Sequence, residues 1–157
     1  IAQALKDAGH RVVVNYHSAD HVAESFAAES GIPAFKWDVS DFAACRAGVD
    51  EVRQQHGPVD ILINNAGTVS DNKFENMDEA QWHRVVRVNL DSVFHMSQQV
   101  YPDMMARKWG RIVNIGSING QAGQYGQVNY AAAKSGIDGQ VKITRPSKQG
   151  AHVVESS

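Results

Sequence analysis

The sequence is poor in the residues that stabilise secreted proteins and anchor membrane proteins. It contains one cysteine, Cys45, so no disulfide can form within the chain, which is typical of a reducing compartment. No apolar run is long enough to cross a bilayer, and no charged and apolar leader follows Ile1. We therefore expect a cytoplasmic protein with no membrane partner, and we expect Cys45 to be a buried thiol that nothing activates.

An excess of one charge and clustered metal ligands are also lacking. The formal net charge is −2, which gives no electrostatic footprint for nucleic acid. The seven histidines are scattered, and none stands at the Cys/His spacing of a metal centre. The sequence predicts neither a nucleic-acid partner nor a metal site.

The sequence does contain a regular alternation of helical and extended patterns. Short β-branched runs such as RVVVNY follow amphipathic segments that end at Gly or Pro. The predicted strands are 11–16, 34–40, 59–67 and 110–117, and the predicted helices are 1–9, 19–29, 41–56, 78–108 (in one piece, or in two around Pro102) and a last one that carries Tyr130 and Lys134. This order predicts an α/β fold with a parallel sheet covered on both faces.

Polar residues follow the predicted strands, at the edge of a parallel sheet where ligands bind. They are Asn15, Asp38, Ser117 and the segment NNAG at 64–67. In NNAG the two amides can bond to neighbouring backbone, and Gly67 permits the close approach of a flat ligand. An ordinary Asn/Gly turn has the same composition, so the segment alone leaves both interpretations open.

Tyr130 and Lys134 form a candidate catalytic pair. They are four residues apart and share one face of a helix. An ammonium beside a phenol favours the phenolate, so the pair can exchange a proton with a substrate oxygen. Ser117 could donate to the same oxygen, or it could cap a loop. Asn89 is a poor helix former within a long helix; it could hold a water, bend the helix or face solvent.

Four features of the chain stand in the order and spacing of one family: NNAG, Asn89 in its helix, Ser117 and YAAAK. Through them the chain resembles the short-chain dehydrogenases/reductases. The resemblance covers residues 1 to about 140 and implies a Rossmann-like, doubly wound parallel sheet that binds a nicotinamide dinucleotide. It also implies roles. Tyr130 is the general acid/base, Lys134 favours its phenolate and binds the nicotinamide ribose, Ser117 orients the substrate carbonyl, and Asn89 holds a proton-relay water.

The resemblance extends to the cofactor. Asp38 and Val39 match the pair that contacts adenine, and the end of the third strand, Asn64, Asn65, Ala66 and Gly67, lines the cofactor. After the first strand no acid stands at Asn15 or Tyr16 to bind a ribose 2′-OH, whereas Asn15, His17 and Ser18 could hydrogen-bond a 2′-phosphate. We therefore expect NADP(H) rather than NAD(H).

The segment GSINGQAGQYGQVNYAAAK is most similar to acetoacetyl-CoA reductases of polyhydroxyalkanoate synthesis and next to 3-oxoacyl-[acyl-carrier-protein] reductases. This implies NADPH-dependent reduction of a 3-oxoacyl thioester, with acetoacetyl-CoA giving (R)-3-hydroxybutanoyl-CoA. Gln124, Tyr125 and Gln127 would lie beside the short acyl group, although a flexible Gly-rich loop explains them equally well. The long helix and the Tyr130 helix would build a homotetramer.

Two parts of the family pattern are not found in this chain. Family members begin with a strand and a TGxxxGxG loop. After Gly139 they continue with a long apolar helix, a strand and a Pro-Gly loop, whereas in this chain Pro146 breaks a helix a dozen residues beyond Lys134. We expect residues 1–140 to form a partial Rossmann-like domain and residues 141–157 to be an irregular tail of uncertain origin. We expect the chain alone to be inactive, and a non-catalytic fragment is the alternative function of a different class.

Overall fold

The protein is described by a computed structural model that gives the backbone of residues 1–141 and the side chains of residues 1–138. Each strand is followed by one or two α-helices along the described residues. In chain order the elements are α1 (Ala2–Asp7), β1 (Val14–Tyr16), α2 (Asp20–Ser30), β2 (Ala34–Lys36), α3 (Phe42–His56), β3 (Ile61–Asn64), α4 (Glu79–Val86), α5 (Ser92–Arg107), β4 (Arg111–Asn114), α6 (Ile118–Ala122) and α7 (Val128–Val141). The predicted tail beyond residue 141 lies outside the described residues.

The strands are parallel, as their alternation with helices predicts. Within the described residues they form two sheets of two strands, β1 with β2 and β3 with β4. Val14 pairs with Ala34 in the first sheet, and Ile61 pairs with Arg111 in the second. The prediction of an α/β fold with Rossmann-like parallel strands is confirmed, although each strand is shorter than its sequence pattern indicates.

The main core lies between these strands and the face formed by α3 and α5. Apolar side chains spaced three or four residues apart on the two helices meet Phe35 of β2, Trp37 just after it and Leu62 of β3. The buried helix residues of this core are Cys45, Val49, Val52, Met96, Val100 and Met104. By packing against both sheets, α3 and α5 hold the carboxyl ends of the strands at a common edge.

A cavity of about 760 Å³ separates the two sheets. Residues of β1, including Val14, and residues of β3, including Leu62, line it from opposite sides. Among the described residues no hydrogen bond of the sheets joins β1 to β3. The two strands therefore face each other with edges that the sheets leave unpaired.

The long helical region differs from its prediction in one respect. The structure places the interruption at Asn89, where Arg87–Asp91 forms a π-helical turn, and α5 continues through Pro102. The predicted division around Pro102 is therefore wrong. Buried Val100 and Met104 flank the proline and hold α5 to the core, and this packing outweighs the local cost of the proline.

The loop predicted after the fourth strand is partly helical. Ser117 caps the short helix α6, and Gly123 ends it with a positive φ of 72°. A chain of only five helical residues gives no usable periodicity in the sequence. No helix in residues 1–141 is long and apolar enough to span a membrane.

Candidate active site

Tyr130 and Lys134 lie on α7, where the helical spacing puts them on one face. The Lys134 Nζ is 5.7 Å from the centroid of the Tyr130 ring and donates a 2.7 Å hydrogen bond to the Ile115 carbonyl oxygen. Lys134 is only 5% exposed, and this burial lowers the pKa of its ammonium from the ordinary value. The structure therefore holds a cation beside the phenol at a position fixed by β4.

Ser117 follows β4 and caps α6, which packs on α7. Its Oγ accepts a 3.3 Å hydrogen bond from the Asn119 N–H. Gly120 makes the packing possible, because a Cβ at this position would lie 2.9 Å from the Lys134 carbonyl carbon. The Ser117 hydroxyl hydrogen is not used in the Asn119 bond, so it is available to a substrate oxygen.

Asn89 joins the long helix to the loop that follows β3. Its side chain is fully buried, and its Nδ2 donates to the Thr68 carbonyl at 2.8 Å and to the Val85 carbonyl at 2.9 Å. Its Oδ1 accepts from the Thr68 N–H at 3.3 Å. A Cβ on Gly67 would lie 2.8 Å from that Oδ1, so glycine is needed for this contact. Both amide hydrogens of Asn89 are used within the protein. A water beside this residue could therefore only donate a hydrogen bond to one of its oxygen atoms.

A second cavity of about 870 Å³ lies at the ends of β1, β2 and β3. Its walls bring together polar residues that the sequence analysis assigns to a dinucleotide, and they add two arginines of α4 and the π turn. The lining includes Asn15, His17, Ser18, Asp38, Val39, Ala66, Gly67, Arg84 and Arg87. The cavity therefore gathers most of the predicted cofactor residues around one volume, while the exposed Asn65 lines the 760 Å³ cavity.

Asp38 is held as a carboxylate at the mouth of this cavity. Burial raises the pKa of its carboxyl group. The hydrogen bonds from Ser40 and the charge of the nearby His17 lower this pKa by more, so the net change is downward. The His17 Nε2 lies 3.7 Å from Asp38 Oδ2. The Asn15 Nδ2 donates to the Trp37 carbonyl at 2.9 Å and to the Tyr16 carbonyl at 3.3 Å, so its amide hydrogens are used within the protein and not on a 2′-phosphate.

The three residues predicted to line the substrate differ in their surroundings. Gln124 and Tyr125 lie in the loop between α6 and α7, and Tyr125 is 80% exposed. Gln127 has both polar atoms engaged, since its Oε1 accepts from Asn119 at 3.0 Å and its Nε2 donates to Asp71 at 2.9 Å. Gln127 thus acts as a bridge within the protein, whereas Gln124 and Tyr125 are exposed.

Asn129, the residue before Tyr130, was not among the residues predicted from the sequence. Its side chain is fully buried and hydrogen-bonded to three backbone groups. Arg84 and Arg87 were not predicted either, although their spacing of three residues puts them on one helix face. An Asn within the first turn of a helix was the available signal for Asn129.

The parallel α/β fold, with these polar groups at the strand ends, places the molecule in the Rossmann-like class. The chain belongs to the short chain dehydrogenase family, whose sequence profile matches residues 1–150.

The chain is similar to reductases and to a dehydrogenase of solved structure. The acetoacetyl-CoA reductase of Rhizobium meliloti (strain 1021) is 51% identical over 142 residues, 90% of this chain and 59% of that protein. A 3-oxoacyl-[acyl-carrier-protein] reductase of Staphylococcus aureus (strain Mu50) is 37% identical over 147 residues, 90% of this chain and 60% of that protein. A gluconate 5-dehydrogenase from Burkholderia cenocepacia, solved with NADP and tartrate, superposes with a TM-score of 0.81 at 34% identity, covering 90% of this chain and 57% of that one. The chain thus spans a little over half the length of these relatives.

Proposed function

We propose that the protein to which this chain belongs reduces a 3-oxoacyl thioester with NADPH. The observation that carries the proposal is the buried Lys134 ammonium beside the Tyr130 ring. Lys134 bonds to the carbonyl of Ile115 just after β4, and Ser117 follows two residues later. Buried ammonium groups are costly, and they are retained where a proton must be moved or a charge balanced. The similarity to acetoacetyl-CoA reductases supports the substrate class.

The residues of the chain would orient the substrate and supply the proton. NADPH, when bound, supplies the hydride that adds to the C3 carbonyl carbon. Ser117 donates a hydrogen bond to the carbonyl oxygen, and the Tyr130 hydroxyl gives its proton to that oxygen as negative charge develops on it. Lys134 favours the resulting phenolate and keeps donors besides the one used on Ile115 for a ribose hydroxyl.

The cavity at the ends of β1, β2 and β3 fits the adenosine half of the cofactor. No carboxylate stands at Asn15 or Tyr16 to bind a 2′-hydroxyl, and Ser18 presents a hydroxyl from an exposed position. Asp38 and Val39 would border the adenine, and residues 65–67 would border the ribose and the nicotinamide. These features support NADP(H), the cofactor with which the gluconate 5-dehydrogenase was solved.

Acetoacetyl-CoA is the substrate we favour, with (R)-3-hydroxybutanoyl-CoA as product and polyhydroxyalkanoate synthesis as the setting. The exposed Gln124 amide and Tyr125 ring suit a thioester oxygen and a short acyl chain. A 3-oxoacyl-[acyl-carrier-protein] reductase is the alternative, and the Staphylococcus relative supports it. The carrier separates the two, because one enzyme reduces the CoA ester faster and the other the protein-bound ester.

We further propose that the complete protein is a cytoplasmic homotetramer. Phe42 and Phe94 stack at a centroid distance of 6.2 Å, yet they are 39% and 51% exposed. Paired exposed aromatic rings on α3 and α5 favour burial against another subunit.

The proposal is tested on the full-length protein, meaning the complete polypeptide that the gene encodes. NADPH oxidation is followed with acetoacetyl-CoA and with acetoacetyl-acyl carrier protein. We expect turnover of the CoA ester, a fall of at least a thousandfold in kcat for Tyr130→Phe, and an unchanged Kd for NADPH. Tyr101→Phe on α5 is the matched control, because it removes a phenol hydroxyl from a residue outside the proposed catalytic and cofactor sites and keeps the ring, and it should keep full activity.

Three results would change the proposal. Substantial activity in Tyr130→Phe removes the assigned role of the phenol. Faster reduction of the carrier-protein ester selects the alternative enzyme. A wild-type protein that binds NADPH but reduces neither ester supports a non-catalytic nucleotide-binding function.

A further inference from the structure

Asn129 is a fully buried polar side chain at the beginning of the catalytic helix. Its Oδ1 accepts a 2.8 Å hydrogen bond from the Tyr130 N–H, one of the donors that the first turn of a helix leaves unpaired. Its Nδ2 donates to the Ser70 carbonyl at 3.1 Å and to the Gln81 carbonyl at 3.3 Å. One carboxamide therefore joins α7, α4 and the loop that follows β3.

Two more carboxamides extend this connection into the loop. The Gln81 Oε1 accepts from the Asn72 Nδ2 at 3.1 Å, and the Gln81 Nε2 donates to the Ser70 Oγ at 3.4 Å. The Asn72 N–H donates to the Gly126 carbonyl at 2.9 Å, just ahead of α7. Residues 70–72 are thus held from both sides, by α4 and by the segment that leads to Tyr130.

The geometry points to a role beyond stability, and we propose that Asn129 is a positioning residue for the acid/base group. It contacts no reacting atom in the proposed mechanism. It fixes the first turn of α7 against loop 68–73, and this turn carries Tyr130. Because the hydroxyl of Tyr130 must lie within hydrogen-bond reach of the substrate oxygen, a small rotation of that turn lowers the rate of proton transfer.

The chemistry of the contacts makes carboxamide the required group. Two acceptors, the carbonyls of Ser70 and Gln81, face the Nδ2, and one donor, the Tyr130 N–H, faces the Oδ1. A carboxylate would place oxygen against both carbonyls, and an apolar side chain would leave all three backbone groups unpaired in a buried site. Leu is close enough in size to remove the hydrogen bonds without opening a large cavity.

The test compares Asn129→Leu with wild type in the full-length protein by two measurements. Hydrogen–deuterium exchange reports the coupling and does not depend on the proposed function. We expect exchange in residues 70–77 and in the first turn of α7 to become at least tenfold faster, while α3 and α5 stay unchanged. Steady-state kinetics, which rests on the proposed function, should show kcat lower by at least tenfold with the KM for NADPH unchanged.

Val100→Ala is the control for a loss of stability alone. Val100 is 1% exposed in the core of α5, so its truncation lowers the melting temperature without touching the three carboxamides. We expect this variant to keep kcat within twofold. If Asn129→Leu does not fold, Asn129→Asp keeps the acceptor for the Tyr130 N–H and removes the donors to the Ser70 and Gln81 carbonyls, so it should give the same faster exchange in residues 70–72.

The outcomes separate the inference from the proposed function. Unchanged exchange at residues 70–77, or an unchanged kcat in an active enzyme, overturns the positioning role of Asn129. An equal fall in kcat for Val100→Ala also overturns it, since stability alone would then explain the effect. A wild-type protein without reductase activity overturns the proposed function, and the exchange result then decides whether Asn129 couples the segments.

Discussion

Single buried polar residues around the site differ in how completely they are paired. Asn89 uses both of its amide hydrogens, and Asn129 has partners for its oxygen and its nitrogen. Lys134 makes one hydrogen bond in the described part of the chain and keeps a lowered pKa because it is buried. The fully paired amides hold the backbone, whereas the ammonium keeps donors that a ligand can use.

The buried thiol of Cys45 makes the stability of the protein depend on pH at high pH. It is fully buried, and this burial, aided by the charges of Asp38 and Asp41, raises the pKa of its thiol from 9.0 to about 11. Between these values the unfolded chain loses the thiol proton while the folded protein keeps it, so stability falls as pH rises from 9 to 11. A shift of this size corresponds to a loss of about 2–3 kcal/mol.

The measurement is urea denaturation of the full-length protein at several pH values between 8 and 11. Cys45→Ala should show a shallower decline over that interval, since the variant has no thiol to ionise. Identical slopes for the two proteins would contradict the prediction. Independently, the native thiol should react slowly with a disulfide reagent and rapidly in urea.

Elements of the fold meet through small residues as much as through large ones. Helix α3 approaches β2 at Gly48, where an added Cβ would lie 2.4 Å from the Trp37 ring. The π turn at Arg87–Asp91 also depends on contacts between elements, because the Asn89 side chain within it donates to the Val85 carbonyl of α4 and to the Thr68 carbonyl of the loop after β3. In both cases packing between elements overrides the preference of the local sequence.

Gly48→Ala tests that conclusion for α3. Helix propensity alone predicts a gain of about 1 kcal/mol, whereas displacement of the Trp37 ring predicts a loss of about 1–3 kcal/mol, and we expect the loss. The matched control is Ala47→Gly on the exposed side of the same helix, which should lose about 1 kcal/mol through propensity. A Gly48→Ala protein that is more stable than wild type to urea would show that the ring moves without cost.

The whole molecule is divided by the cavity between its two sheets. Strands β1 and β3 line this cavity of about 760 Å³, and their facing edges are not joined by hydrogen bonds of the sheets in the described residues. Unpaired strand edges and unfilled apolar volume both lower stability.

We therefore predict that the 157-residue chain, expressed by itself, unfolds at low urea and with a broad transition. It should bind NADPH weakly, because the walls of the nucleotide cavity belong to both sheets. Circular dichroism in urea and fluorescence titration with NADPH measure the two properties. A sharp transition at high urea together with tight NADPH binding would show that the two sheets form one rigid unit without further pairing.

The order of helices and strands, the parallel sheets and the shared face of Tyr130 and Lys134 follow from the amino-acid sequence alone. These properties depend on neighbours in the chain, through the period of apolar residues and the 3.6-residue helical turn. Contacts in the folded chain determine the rest. They bury Lys134, and they place the interruption of the long helix at Asn89 and not at Pro102. They also make Gln127 a bridge between Asn119 and Asp71, and they let Asn129 join three segments. Each of these depends on atoms far apart in the chain, such as the Ser70 carbonyl and the Asn129 amide, and no local pattern of residues records which of them will meet.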